Sequence, residues 1–200
     1  MFFCITFKSD YITQVLAERH FETEKLMKPA KINWKNSIYL LTVALPVFII
    51  DFLTKNWALT LKGTNGIVVF ESWWNFIYVE NKGALWGLGA NFPDSLRQLI
   101  FLGFSTIVTL LVIYLLLAYA ETKFMKIIYG LIIAGAFGNL YDRFFRGFAV
   151  IDFIDWHAGE IYHWPTFNIA DVAIVVAIFL LAIELLFLQP KRQKAKKEAK

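Results

Sequence analysis

The sequence contains little charge and a single cysteine. Only 18% of its 200 residues are charged and 58% are hydrophobic, whereas soluble domains average about 25% charged and about 45–50% apolar residues. This apolar excess is too large for one globular core, which excludes an ordinary soluble domain. Because Cys4 has no partner in the chain, a framework of internal disulfides is excluded as well.

Four segments of the chain are apolar enough and long enough to cross a membrane, since a bilayer core of about 30 Å requires about 20 residues. They are predicted at residues 37–59, 98–120, 125–144 and 167–188, with a kink at Pro46 in the first. Aromatic residues make up 18% of the chain, and Trp and Tyr are typical of membrane–water interfaces. The sequence therefore predicts a membrane α-helical protein with four transmembrane helices.

Basic residues cluster at three places that lie on one side of such a four-span protein. They precede the first span, join the second span to the third at Lys123 and Lys126, and fill the C-terminal stretch "KRQKAKKEAK". Because Lys and Arg mark cytoplasmic loops, we expect both termini in the cytoplasm and the connections 60–97 and 145–166 outside. The basic tail is interpreted as a topology signal, so no nucleic-acid partner is expected.

Residues 1–26 differ from the rest of the chain. They are mixed in charge and lack the apolar core of a secretory signal. We expect them to be an N-terminal extension without function, with Met27 as the natural start. Residues 27–190 would then form the membrane domain and residues 191–200 a basic cytoplasmic tail.

The first outer connection, residues 60–97, is predicted to contain strands and a short helix as well as loops. The stretch "NGIVVFESWWNFIYVENKGALWG" (65–87) combines β-branched and aromatic residues with Gly and Asn, which predicts two or three short strands. The stretch "FPDSLRQLI" (92–100) predicts a short amphipathic helix leading into the second span. The expected fold is thus four transmembrane helices with a small extracytoplasmic β-element and a short amphipathic helix.

Ionisable residues inside membrane spans are costly and usually face the interior of a helix bundle. Asp51 and Lys55 are four residues apart and Asn168 and Asp171 are three apart, so each pair shares one helix face. Under the predicted topology, the whole set lies toward the outer ends of the spans. Its other members are Asn139, Asp142 and Arg143, at the end of the third span, and Asp152, in the segment that follows.

Each of these residues also has a purely structural interpretation. Asp51 and Lys55 form a plausible structural pair, and Asp142 can cap the end of its helix. Asp171 suits a helix N-terminus, where the helix dipole favours negative charge. Arg146 is expected at the level of the lipid headgroups.

Asp152 and Asp171 together suggest acid–base chemistry. Two carboxylates in a poorly solvated site do not both ionise easily, so one of them holds a proton. The ionised carboxylate can then take a proton from water while the protonated one hydrogen-bonds a carbonyl oxygen, as in aspartic proteases, which use no metal. No cofactor or metal is expected.

Two other classes of function remain open at this point. Intramembrane Asp and Asn residues also suit a transporter or proton relay, although the second span, predicted from residue 98, offers no charge for such a path. A metal hydrolase would use the polar residues of the last outer loop, but its two histidines are six residues apart, which matches no helical zinc motif. Those residues are Asp155, His157, Glu160 and His163.

Four sequence blocks, in this order, resemble those of bacterial lipoprotein signal peptidase (signal peptidase II). They are "DFLTK" (51–55), "ENKGALWG" (80–87), "GNLYDRFFRGFAVIDFI" (138–154) and "FNIAD" (167–171). The resemblance covers about residues 35–190 and implies an aspartic endopeptidase whose catalytic pair is Asp152 and Asp171. The residues that it implies in supporting or substrate-binding roles are Asp51, Lys55, Asn81, Gly83, Asn139, Asp142, Arg143 and Asn168.

The resemblance also implies a substrate and a location. The substrate would be a prolipoprotein whose Cys carries a diacylglyceryl group, cut just before that Cys at the outer face of the bacterial inner membrane. The implied partners are this substrate and membrane lipid, and the expected state is a monomer. The chain departs from the family pattern at Phe52, where Gln is common, and at Trp86, where Phe is usual.

Overall fold

A computed structural model describes residues 31–83, 92–159 and 161–199. All elements named below belong to the compact unit Asn33–Lys200. The predicted extension at residues 1–26 lies outside the described residues, as do Ala84 and Trp86. Four helices in the described part are long and apolar enough to span a membrane.

The first span covers Trp34–Leu61 and is irregular along its length. It contains a 3₁₀ turn at Trp34–Ser37, a π-helical segment at Leu40–Ala44, the α-helix α1 at Leu45–Ala58 and a second 3₁₀ turn at Leu59–Leu61. Pro46 lies in the first turn of α1. Proline has no N–H to donate, and the first turn of a helix tolerates it; a π-helical segment precedes this turn, and the kink at Pro46 stays a prediction.

The other three spans are regular over most of their length. Helix α2 covers Asp94–Tyr119 and helix α3 covers Lys123–Phe145. The fourth span consists of α4 (Ile169–Ile183), a π-helical segment (Glu184–Leu188) and α5 (Gln189–Glu198). Residues 94–100, which were expected to form an amphipathic helix, are the first turns of the continuous helix α2.

Helix α3 lies at the centre of the bundle and contacts the other three spans. Glycines on α3 allow this close approach. Gly135 faces the backbone oxygen of Ala170 in α4, and Gly138 faces the carboxylate of Asp51 in α1. The apolar core between the spans includes Val112, Leu116 and Ile133, while many Leu, Ile and Phe side chains of the spans point outward, as lipid contact requires.

The outer connections form one antiparallel sheet in the order β1-β2-β3-β4. Its strands are β1 (Ile67–Phe70), β2 (Trp74–Asn81), β3 (Val150–Ala158) and β4 (Tyr162–His163). The first two strands come from the connection predicted to hold them. Strand β3 comes from the second connection, and its pairing with β2 sets Val79 opposite Asp152.

Two Gly→Ala variants test the close packing of α3. In Gly135→Ala, the new methyl group would collide with the backbone of Ala170, so we expect a loss of about 1–3 kcal/mol in unfolding free energy. The matched control is Gly103→Ala in α2, whose added Cβ meets no atom within 4 Å among the described residues. It should be neutral or stabilising by up to about 1 kcal/mol. Equal thermal stability of the two variants in detergent would contradict this packing.

Candidate active site

A buried lysine organises the polar residues at the outer ends of the spans. Lys55 is 1% exposed, and its Nζ lies 2.9 Å from Asp51 Oδ2 and 2.9 Å from Asp142 Oδ2. It also donates to Asn139 Oδ1 at 3.0 Å. A lysine ammonium has three N–H donors, and three oxygen partners lie within 3.0 Å of it.

The two aspartates bound to Lys55 also accept hydrogen bonds from the backbone. Asp51 Oδ1 accepts from the N–H of Ala170 at 2.8 Å, and Asp142 Oδ2 accepts from the N–H of Ile151 at 3.1 Å. Ala170 directly precedes Asp171 in α4, and Ile151 directly precedes Asp152 in β3. The Lys55 cluster therefore holds the helix and the strand that carry the two predicted catalytic residues.

Asn168 joins the two carboxylates. It is the N-cap of α4, and its Oδ1 accepts from the N–H of Asp171 at 3.0 Å. Asp171 Oδ2 in turn accepts from the N–H of Asn168 at 3.1 Å, which completes a reciprocal capping box. The Nδ2 of Asn168 donates to Asp152 Oδ1 at 2.6 Å, so Asn168 contacts the Asp152 carboxylate with its side chain and the Asp171 carboxylate with its backbone N–H.

Asp152 and Asp171 have different surroundings. Asp152 is 2% exposed, and its Oδ2 accepts a hydrogen bond from Asn81 Nδ2 at 2.9 Å. Asp171 is half-buried, and its Oδ1 accepts from Asn139 Nδ2 at 2.8 Å. Burial raises the pKa of Asp152 to about 7, and the nearby charge of Asp171 adds to the rise. Near neutral pH, Asp152 is therefore present in both protonation states.

Two arginines complete the site. Arg143 donates to the backbone oxygen of Gly83 at 3.3 Å and interacts electrostatically with both Asp152 and Asp171. The headgroup level predicted for Arg146 stays a prediction; the side chain lies 3.3 Å from Asp142 Oδ1 and donates to Asn56 Oδ1 at 2.7 Å. The only signal for this role in the sequence is the four-residue spacing from Asp142, which places both residues on one helix face.

All ten predicted site residues converge on this one region. The polar residues of the last loop do not join it: His157 and His163 stack against each other, and Asp155 bonds His163. Glu160 lies outside the described residues. Within the described part of the chain, no group of three or more His, Cys, Asp or Glu side chains is arranged to hold a metal ion. Further along the fourth span, Glu184 pairs with Arg192.

The fold and the buried carboxylates define a multi-pass membrane protein with a candidate acid–base site at one end of its helices. Residues 43–187 match the family described as "Signal peptidase (SPase) II". The lipoprotein signal peptidase of Dichelobacter nodosus is 41% identical over 154 residues, which are 76% of this chain and 96% of that protein. The lipoprotein signal peptidase of Aquifex aeolicus is 40% identical over 156 residues, 78% of this chain and 90% of that protein.

A solved structure supports the same assignment. A bacterial membrane enzyme determined by the in meso method at 2.3 Å resolution has a TM-score of 0.64 and 28% identity, covering 78% of this chain and 92% of that chain. The chain belongs to the signal peptidase II family. It is therefore a peptidase and a multi-pass protein of the bacterial inner membrane, as the sequence blocks implied.

Lys55→Met tests the central role of the lysine. Removing its charge leaves the carboxylates of Asp51 and Asp142 buried without their shared partner, and breaking a buried ion pair on one side costs about 3–5 kcal/mol. We expect a large fall in thermal stability and in yield from membranes. The control is Lys62→Met, which removes an exposed pair with Glu80 and should change stability little. A Lys55→Met protein as stable as the control would contradict the role assigned to the lysine.

Proposed function

We propose that this chain is an aspartic endopeptidase that removes signal peptides from prolipoproteins, with Asp152 and Asp171 as the catalytic pair. The observation that carries the proposal is the bridge through Asn168, which binds Asp152 Oδ1 and the backbone N–H of Asp171. The charge of Asp171 also helps to raise the pKa of Asp152, and two carboxylates that interact in this way share one proton more readily than they lose both. One acid and one base are then available at the same place.

The two carboxylates are assigned different roles. Asp171, the more accessible of the two, takes a proton from a water molecule as the water oxygen bonds to the scissile carbonyl carbon. Protonated Asp152 gives its proton to the carbonyl oxygen, which yields a neutral tetrahedral intermediate. The proton on Asp171 then passes to the leaving nitrogen as the C–N bond breaks, and the intermediate returns a proton to Asp152 as the new carboxyl group forms.

The neighbouring residues hold this pair in place. Asn81 and Asn139 each donate to one carboxylate, which fixes the directions of the remaining lone pairs. Asp51, Lys55 and Asp142 position the backbone on either side. Arg143 balances the single negative charge of the pair and donates to the backbone oxygen of Gly83. Gly83 belongs to the block "ENKGALWG" (80–87), to which the resemblance gives a supporting or substrate-binding role.

The position of the pair suits a lipid-anchored substrate. Asp171 is the third residue of α4, so it lies within about 5 Å of the end of that helix at 1.5 Å per residue. A diacylglyceryl group would hold the modified Cys of a prolipoprotein in the adjacent leaflet. The bond just before that Cys would then meet the carboxylates at the same depth. One chain supplies all the residues of this proposal, so a monomer suffices.

The proposed orientation places both termini in the cytoplasm and the site at the outer face. Asn36, at the start of the first span, donates to the backbone oxygen of Leu116 near the end of α2. The start of the first span and the α2–α3 link therefore lie at one end of the bundle, with Lys35 and Lys123 beside them. The positive-inside rule assigns that end to the cytoplasm. The proposed domains remain an extension at 1–26, a peptidase domain at 27–190 and a basic tail at 191–200.

Replacing either carboxylate tests the catalytic pair. Asp152→Asn and Asp171→Asn should each lower cleavage of a lipidated prolipoprotein in liposomes by at least about 10²-fold, the low end for general acid–base catalysis. Asp155→Asn is the matched control, because Asp155 lies in the same strand but binds His163 instead; it should cleave nearly as fast as the unaltered protein. Near-normal turnover by a folded Asp152 or Asp171 variant would exclude the proposed mechanism.

The pH dependence tests which carboxylate holds the proton. Because Asp152 must be protonated, kcat/KM should fall as pH rises through the pKa of about 7, by about tenfold per pH unit above it. The hydrogen bond from Asn81 lowers this pKa, so Asn81→Ala should move the alkaline limb to higher pH. Asn75→Ala in the same strand is the control, since Asn75 bonds His157. If the alkaline limb of kcat/KM in Asn81→Ala stays at the same pH or moves to lower pH, Asp152 is not the acid.

A further inference from the structure

The turn between α3 and β3 leads from the third span to the strand that carries Asp152. Helix α3 ends at Phe145 and β3 begins at Val150. Two consecutive residues of the turn, Gly147 and Phe148, have positive φ angles of 70° and 64°. A positive φ is unfavourable for a bulky residue such as phenylalanine. Contacts outside the turn must therefore hold it in this conformation.

The carboxylate of Asp142 is tied to both ends of this turn. Its Oδ1 lies 3.3 Å from Nη1 of Arg146, the residue that directly follows α3. Its Oδ2 accepts the backbone N–H of Ile151 at 3.1 Å. Because Ile151 directly precedes Asp152, the orientation of the Asp142 carboxylate determines where the candidate acid is placed.

Arg146 is also fixed by contacts on its other sides. Its Nη2 donates to Asn56 Oδ1 in the first span at 2.7 Å. Its guanidinium carbon lies 5.5 Å from the ring centroid of Phe52 and 5.8 Å from that of Tyr141. A guanidinium group within about 6 Å of an aromatic centroid is attracted to the ring. With only 16% of its side chain exposed, Arg146 has little freedom to move.

Lys55 does not replace Arg146 in orienting Asp142. The Nζ of Lys55 lies 2.9 Å from Oδ2, the same oxygen that accepts from Ile151. A partner at one oxygen leaves the carboxylate free to turn about that contact. The ion pair of Arg146 with Oδ1 supplies the second point that fixes the plane of the carboxylate.

We propose that Arg146 is a positioning residue for Asp152, and that it acts by fixing the orientation of the Asp142 carboxylate. The inference rests on the proposed function, since it concerns the placement of the candidate acid. Without Arg146, the Asp142 carboxylate turns, the N–H of Ile151 loses its acceptor, and Asp152 shifts relative to Asp171. A shift of about 1 Å at a reacting group costs up to about 10²-fold in rate.

Arg146→Met tests this role in the full-length protein in liposomes. We expect kcat for a lipidated prolipoprotein to fall by about 10- to 10²-fold, with KM changed little, because the substitution alters the placement of the acid and not the binding of substrate. Hydrogen exchange in the same liposomes, read by mass spectrometry, should be several-fold faster at the backbone N–H of Ile151. This second measurement requires no cleavage.

Three further variants make the test specific. Arg192→Met is the matched control, because it also removes an arginine paired with a carboxylate, that of Glu184, in the tail helix α5; kcat and exchange at Ile151 should not change. Arg146→Lys keeps the charge that pairs with Asp142 and should restore kcat at least in part. Phe52→Leu keeps every charge and removes one ring beside Arg146, so it should lower kcat several-fold even if Arg146→Met does not fold.

Three outcomes would overturn the proposal. Normal kcat in Arg146→Met would show that the residue does not position the acid. A fall in kcat without faster exchange at Ile151 would show that it acts by another route. A lysine variant as slow as the methionine variant would exclude the ion pair with Asp142 as the cause. Failure of the catalytic pair itself is seen separately, as near-normal turnover by Asp152→Asn or Asp171→Asn.

Discussion

The ammonium group of Lys55 is the constraint on which the outer half of this protein depends. A buried charge is tolerated only when partners surround it, and here oxygens of Asp51, Asp142 and Asn139 lie within 3.0 Å of the ammonium group. Each aspartate then accepts one backbone N–H from a different element, α4 or β3. A single ion cluster thus fixes a helix from one part of the chain against a strand from another, and both carry a candidate catalytic residue at the next position.

The charges of this region balance in two groups. Lys55 and Arg146 oppose Asp51 and Asp142, which leaves the first group neutral. Arg143 then interacts with Asp152 and Asp171, and also with Asp142; Asp152 and Asp171 balance its charge only when they share one proton. The electrostatics of the site therefore favour the singly protonated pair that the proposed mechanism needs.

Short-range spacing explains what could be predicted from the sequence. The pairing of Asp51 with Lys55 and of Asn168 with Asp171 follows from helix periodicity alone, and the four spans follow from hydropathy. The contact of Asn81 with Asp152 depends on the register of β2 against β3, whose residues are about 70 positions apart. Local pattern does not set such a register. The bond from Arg146 to Asn56 could not be predicted for a similar reason, since Asn56 belongs to another helix.

Asn168 has a consequence for biogenesis. The same side chain that starts the fourth helix also touches the carboxylate of Asp152, so the helix end and the acid pair form together. A newly inserted chain whose last helix has not yet docked holds its two carboxylates on separate segments. Under the proposed mechanism, such a chain has no complete acid–base pair until its fourth helix has docked.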